Sequence, residues 1–154
     1  MFFFLKIILG LIAILVIAGV LRTWALEHSP RQQAFAEGRA PQPDMDDFYR
    51  GNVRGYKGAW LGKKFSAASA SGINVFQEGT AQIEKYPFKT SVDTGVHDAL
   101  QVLKIDYNIP SNPFWVRPIL DEVVQTGKDA YLGKLQLRII PGYPFTLTFF
   151  ELNK

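Results

Sequence analysis

The chain has 154 residues, room for one domain and an appendage, with 47% hydrophobic and 14% aromatic residues and a net charge of +3. It contains no cysteine, which excludes disulfides, thiolate nucleophiles, cysteine zinc sites and lipoprotein acylation. Residues 1–26 carry two charges, Lys6 and Arg22, and the rest balances 15 basic against 14 acidic side chains; without a strongly basic face, no nucleic-acid partner is expected.

Ile7–Leu21 has neither charge nor proline, and as a helix its length is about 22 Å. A bilayer core asks for roughly 20 residues. Phe2–Leu5 and Thr23–Leu26 supply the difference, with Lys6 and Arg22 reaching the two headgroup layers and Trp24 at an interface. The expectation is a transmembrane anchor over 1–26. The rival is a cleaved signal peptide, for which the small-x-small triplets Thr23-Trp24-Ala25 and Ala34-Phe35-Ala36 are poorly placed. A short N-terminal tail with one lysine resembles a secretory leader, so the C-terminal domain is expected on the periplasmic side of an inner membrane. From 27 to 47 no hydrophobic periodicity survives Pro30, Pro41 and Pro43. Ser29 followed by Pro30 is an N-cap signal for a helical turn within Ser29–Glu37; otherwise this stretch is expected to be a tether. Asp44, Asp46 and Asp47 read as a solvated turn.

Residues 48–154 show short alternating segments between turn residues. Candidate strands are Phe48–Val53, Trp60–Phe65, Ile73–Gln77, Ala81–Val92 (with Pro87 marking an edge or bulge), Gln101–Asn108, Ala130–Ile140 and Pro144–Leu152. Val116–Thr126 is readable as helix or strand: Pro118 fits only a first helical turn, and Val123-Val124 favours strand. Leu103, Ile105 and Tyr107 share one face, as do Leu135, Leu137 and Ile139. About eight strands joined by short turns predict an all-β antiparallel meander closed into a small barrel or half-barrel.

Gly58-Ala59-Trp60-Leu61-Gly62-Lys63 resembles the signature of the bacterial GXWXG domain family. Lys104-Ile105-Asp106-Tyr107, Asn112-Pro113-Phe114-Trp115-Val116-Arg117, Asp121-Glu122 and Tyr131-Leu132-Gly133-Lys134 are similar to motifs of the domain of unknown function that often accompanies it. More loosely, an early Gly-x-Trp in an all-β chain is similar to the calycins: lipocalins, fatty-acid-binding proteins and nitrobindin-like barrels. What the resemblance implies is a barrel whose Trp60 closes one end beside a late-strand arginine, for which Arg138 is the one candidate.

Gly58, Trp60 and Gly62 are expected to be structural, and Trp60 is a ligand-stacking candidate as well. Arg117 and Asp121 fall on one face of a strand and are expected to form an ion pair, with a carboxylate- or phosphate-binding role as the alternative. Lys104, Lys134 and Arg138 read as a solvated exterior or, if inward, as a cationic floor for an anionic lipid. Arg50, Arg54, Lys57, Lys63 and Lys64 form a basic group near the tether, resting on anionic headgroups or neutralised by the nearby aspartates. His28 and His97 are too few and too remote for a metal or haem site. No nucleophile, acid/base set or phosphate loop emerges, so neither an enzyme nor a cofactor is expected.

Two functions stay open. One is a membrane-tethered barrel holding a small apolar or amphiphilic ligand, with Trp60, Lys104, Tyr107, Arg117 and Arg138 as candidate contacts. The other is an interaction module docking onto a membrane protein through Phe114 and Trp115. An interior filled by Trp60, Tyr107, Phe145 and Phe149, with no cavity of about 300 Å³ or more, is the arrangement that excludes the first.

Overall fold

The computed structural model describes residues 2–42 and 44–154. Helix α1 (Phe2–Glu27) is long and apolar enough to cross a membrane, about 39 Å at 1.5 Å per residue. Helix α2 (Pro30–Ala36) follows at once. Ser29 caps it by accepting from the Gln32 N–H, and Pro30 occupies the first turn, where no N–H is required.

Eight strands then close into an antiparallel barrel in sequence order: β1 (Asp47–Asn52), β2 (Trp60–Ser66), β3 (Ser71–Glu78), β4 (Ala81–Thr94), β5 (Gln101–Asp106), β6 (Ile119–Gln125), β7 (Ala130–Ile140) and β8 (Tyr143–Asn153). The expected all-β meander is therefore complete and closed, with β1 paired to β8 through Arg50–Asn52 and Glu151–Asn153. The ambiguous segment resolves as turns up to Pro118 and strand from Ile119. Val123 and Val124 alternate into opposite cores there, as β-branched residues on a pleated sheet do. Pro87 sits beside a bulge rather than at an edge: Ile73 faces Pro87 while Asn74 faces Lys85, and the extra residue, Tyr86, takes φ +61°.

Because direction alternates, the β1–β2, β3–β4, β5–β6 and β7–β8 connections share one end of the barrel. The chain enters β1 at the other end, where Met45 joins the interior core. Of the stretch expected as a tether, residues 27–39 lie along the outer wall between these ends. Gly19 of α1 rests on Phe145 at the start of β8. Thr23 Oγ1 accepts from the Thr146 N–H at 3.0 Å, Arg22 Nε donates to Leu147 O at 2.7 Å, and Leu26 packs among Leu132 and Phe149. Phe35 of α2 is fully buried against Phe149, Val102 and Val124. Arg39 then exchanges backbone hydrogen bonds with Gln125 at the far end. Thus Arg22, expected to reach a headgroup layer, is tied to a strand. The free part of α1 leaves the barrel at the end carrying the odd-numbered connections.

Candidate functional site

The site is built on an irregularity in β2. Trp60 pairs with Phe76, but Gly62 pairs with Val75, so Leu61 is a bulge. Residues three apart in a regular strand face opposite ways; the extra residue turns both Trp60 and Lys63 into the barrel. Glycine is required at 62, where φ is +145° and a Cβ would stand 2.0 Å from Tyr49 O. Gly51 serves the same site by absence: the Trp60 indole lies on it, leaving 2.3 Å to where a Cβ would be. The indole meets Phe150 edge-to-face at 5.8 Å, and its Nε1 donates to Asn74 Oδ1 at 3.0 Å.

Lys63 is 3% exposed, and its three ammonium hydrogens are all engaged. Nζ lies 2.8 Å from Asp121 Oδ2 and 3.1 Å from Asn74 Oδ1, and it donates to the Tyr107 hydroxyl. The rings of Trp60, Phe88, Tyr107 and Phe150 surround the ammonium at 5.1–5.5 Å, which offsets part of its desolvation. Asn74 donates to the Tyr107 hydroxyl at 2.9 Å and to Tyr86 O at 3.2 Å, and Tyr107 in turn donates to Asp121 Oδ2 at 3.2 Å. One acceptor stays open: Asp121 Oδ1 is buried and has no hydrogen-bond partner among the described residues.

Burial lowers the Lys63 ammonium from its ordinary value, with the Asp121 charge opposing, and raises Asp121, with Lys63 opposing. Burial, then the Asp121 charge, pushes Tyr107 well above the ordinary phenol, so it is a neutral donor. All three Lys63 hydrogens are thus spent within the barrel, with the Asp121 carboxylate held against the ammonium.

These groups form the inner end of a cavity of about 330 Å³, at the lower end of the roughly 300–1,000 Å³ of small-molecule sites. Apart from Lys63, Asn74, Asp121 and Thr148 the lining is aromatic or aliphatic. Tyr56 and Trp115 belong to the β1–β2 and β5–β6 connections, so the cavity reaches the barrel end from which α1 projects.

Of the contacts expected from the sequence, Trp60 and Tyr107 line this cavity and Lys104, Arg117 and Arg138 do not. Arg117 is exposed and bonds Asn108 Oδ1 at 3.0 Å. The expected Arg117–Asp121 pair is absent because β6 begins only after Pro118, and Asp121 takes Lys63 instead. Arg138 holds Asp106 at 2.5 and 3.1 Å and caps the Arg117, Pro118 and Ile119 carbonyls. It is not the partner of Trp60; the cation beside that indole is Lys63. Lys104 pairs with Asp93 at 3.4 Å on the outside. Lys134 also faces outward, yet it is fully buried beneath α1 and the β4–β5 loop, bridging Glu27, Asp98 and Glu122 at 3.2, 3.1 and 3.7 Å. Neither a cationic floor nor a wholly solvated exterior results. Phe149 lies on the outer wall against Phe35 and Phe145 against Gly19, so the last strand fills the interior with Phe150 and Leu152 instead.

Lys63 and Asn74 are the site residues that sequence reasoning missed, Lys63 having been grouped with the surface cations. The signal was the alternation of Lys63 with Phe65, masked by the bulge at Leu61.

In overall shape the chain is similar to a protein from Thermomonospora curvata of known crystal structure, with a TM-score of 0.58 over 80% of this chain and 84% of that one, at 14% identity. That likeness shows the barrel fold. No protein-family model and no curated protein matches the chain.

Proposed function

We propose that this protein is a membrane-anchored β-barrel that takes a small apolar or amphiphilic ligand from the bilayer and holds it inside the barrel. One observation carries the reading: an apolar cavity of about 330 Å³ with a polar inner end opens toward the barrel end from which an apolar, membrane-length helix departs. The resemblance of Gly58–Lys63 to the GXWXG family implies a fold and no activity; the looser resemblance of the Gly-x-Trp pattern to the calycins is what agrees with a carrier. A binding role rather than a catalytic one agrees with the fully engaged Lys63 ammonium. In this reading the barrel faces the periplasm from an inner-membrane anchor. Docking onto a membrane protein is the second reading, favoured by Phe114, which is 82% exposed beside Trp115 in the β5–β6 connection.

Native mass spectrometry of the full chain released gently from membranes separates the two. Lipid-sized adducts are expected on the wild type and their loss is expected in Ile119→Trp, which fills the cavity while leaving Phe114 exposed. Wild type free of adducts, or adducts undiminished in the filled variant, would sink the carrier.

A further inference from the structure

The apolar surface of α1 does not stop where the helix meets the barrel. Gly19 rests on Phe145 at the start of β8, yet Leu21 and Trp24 beyond it are still 62% and 61% exposed. A bilayer that covers them reaches the barrel end from which α1 projects. Tyr56, Phe114, Trp115 and Tyr143 are exposed in or beside the connections of that end, and aromatic side chains of this kind favour a membrane interface.

Charge separates the two ends as well. The four mouth-side connections, 53–59, 79–80, 107–118 and 141–142, contain Arg54, Lys57 and Arg117 and no acidic residue. Those of the opposite end contain Asp98 and Asp129 against Lys128. None of the three mouth-side cations is in an ion pair among the described residues. Arg117 is the best placed of them. Its Nε donates to Asn108 Oδ1 at 3.0 Å, which steadies the side chain and leaves both terminal nitrogens without a protein acceptor among the described residues. With Asn108, Phe114, Pro118 and Arg138 it lines a depression of about 420 Å³; the Arg138 charge is already matched by Asp106. A guanidinium with two free nitrogens suits paired phosphate oxygens, and Phe114 in the same lining, 82% exposed, suits the acyl boundary.

Resting on the membrane anchor of the reading above, and not on its cavity, we propose that the mouth-side connections bind anionic phospholipid headgroups of the leaflet that α1 leaves. Arg117 takes the phosphate, and Arg54 and Lys57 add attraction to a negative surface. The barrel is thereby seated in the headgroup layer, most firmly where that layer is negative.

The test places the full chain in nanodiscs of phosphatidylcholine and phosphatidylglycerol in equal amounts with matched acyl chains. Native mass spectrometry reads the lipids retained on the ejected protein, and hydrogen exchange reads the backbone of 53–59 and 107–118. Phosphatidylglycerol is expected to be enriched about fivefold or more over its share, the scale of one basic side chain close to an anionic surface. Arg54→Gln/Lys57→Gln/Arg117→Gln is expected to bring that enrichment within about twofold of unity. Arg50→Gln/Lys64→Gln/Lys89→Gln, which neutralises three exposed cations of the strands, is expected to leave it unchanged. Exchange in the two mouth-side segments should slow in the mixed discs relative to pure phosphatidylcholine, and exchange in 67–70 should not. Equal enrichment in the two triple variants, or mouth-side exchange indifferent to phosphatidylglycerol, overturns the headgroup rim and leaves the anchor and the carrier standing. A chain recovered outside the discs at either composition overturns the anchor on which the rim rests. The lipid dependence of wild-type exchange decides the matter even if a variant does not fold.

Discussion

At Gly62 one missing Cβ sets the position of two side chains, because the bulge beside it aims both Trp60 and Lys63 inward. Gly62→Ala places a methyl group 2.0 Å from Tyr49 O at φ +145°; backbone strain alone costs about 1–3 kcal/mol, and the clash adds to it. A loss of about 3 kcal/mol or more is expected in urea denaturation, and a drop below 1 kcal/mol would show that the bulge does not depend on glycine. Lys63→Met leaves Asp121 buried without its counter-charge, a loss of about 3–5 kcal/mol. Pairing it with Asp121→Leu should recover most of that, so a double-mutant cycle showing additivity would contradict the coupling. Part of this was legible in advance. The Gly-x-Trp spacing marked a core strand, and Tyr107 fell on the inward face of its strand by plain alternation. Lys63 did not, since period-2 reasoning fails wherever a strand carries an extra residue, and nothing local in Trp60–Phe65 announces which residue is extra.

Helix α2 has only seven residues, yet its Phe35 is among the largest fully buried side chains of the described residues. Phe35→Ala is expected to cost about 3–5 kcal/mol and to open 27–47 to limited proteolysis ahead of the barrel; simultaneous digestion of both would show that the segment is not a separate layer. The helix–barrel junction also carries a pH signature. Burial raises the Glu122 carboxyl above its ordinary 4.5, with Lys134 opposing. The folded chain therefore binds that proton more tightly than the unfolded chain, and this group's contribution to stability falls as pH rises above about 4.5. Glu122→Gln should flatten the fall in melting temperature between that pH and neutrality; an identical slope in the variant would assign it elsewhere. Strand boundaries were readable to within a few residues because turn chemistry is local. The docking of 27–47 was not, for a short segment with prolines carries no periodic signal, and the contact that holds it, Phe35 on Phe149, is made across 114 positions of sequence.

For the molecule as a whole, the carrier reading orients the barrel with its mouth on the bilayer. The chain lacks cysteine, so single labels are clean: nitroxide at Phe114→Cys in nanodiscs should be shielded from a water-soluble nickel relaxant, while Ser69→Cys, in the β2–β3 connection at the opposite end, should be fully accessible. Equal accessibility would detach the mouth from the membrane. The closed barrel could be foreseen from the count of alternating segments, because an even meander with no covered edge has few other stable ends. Which end faces the helix could not, since that depends on 27–39 traversing the wall.

The way α1 is fastened to β8 has a mechanical consequence. A barrel on a flexible leash samples many heights and tilts above a bilayer, and can hand cargo to acceptors across a wide gap. Here Arg22, Thr23 and Glu27 clamp the last helical turns to Leu147, Thr146 and Lys134, so the barrel is held at one attitude to the helix. On the carrier reading it therefore stands at one height above the bilayer, and whatever receives its ligand has to come to the membrane surface to collect it.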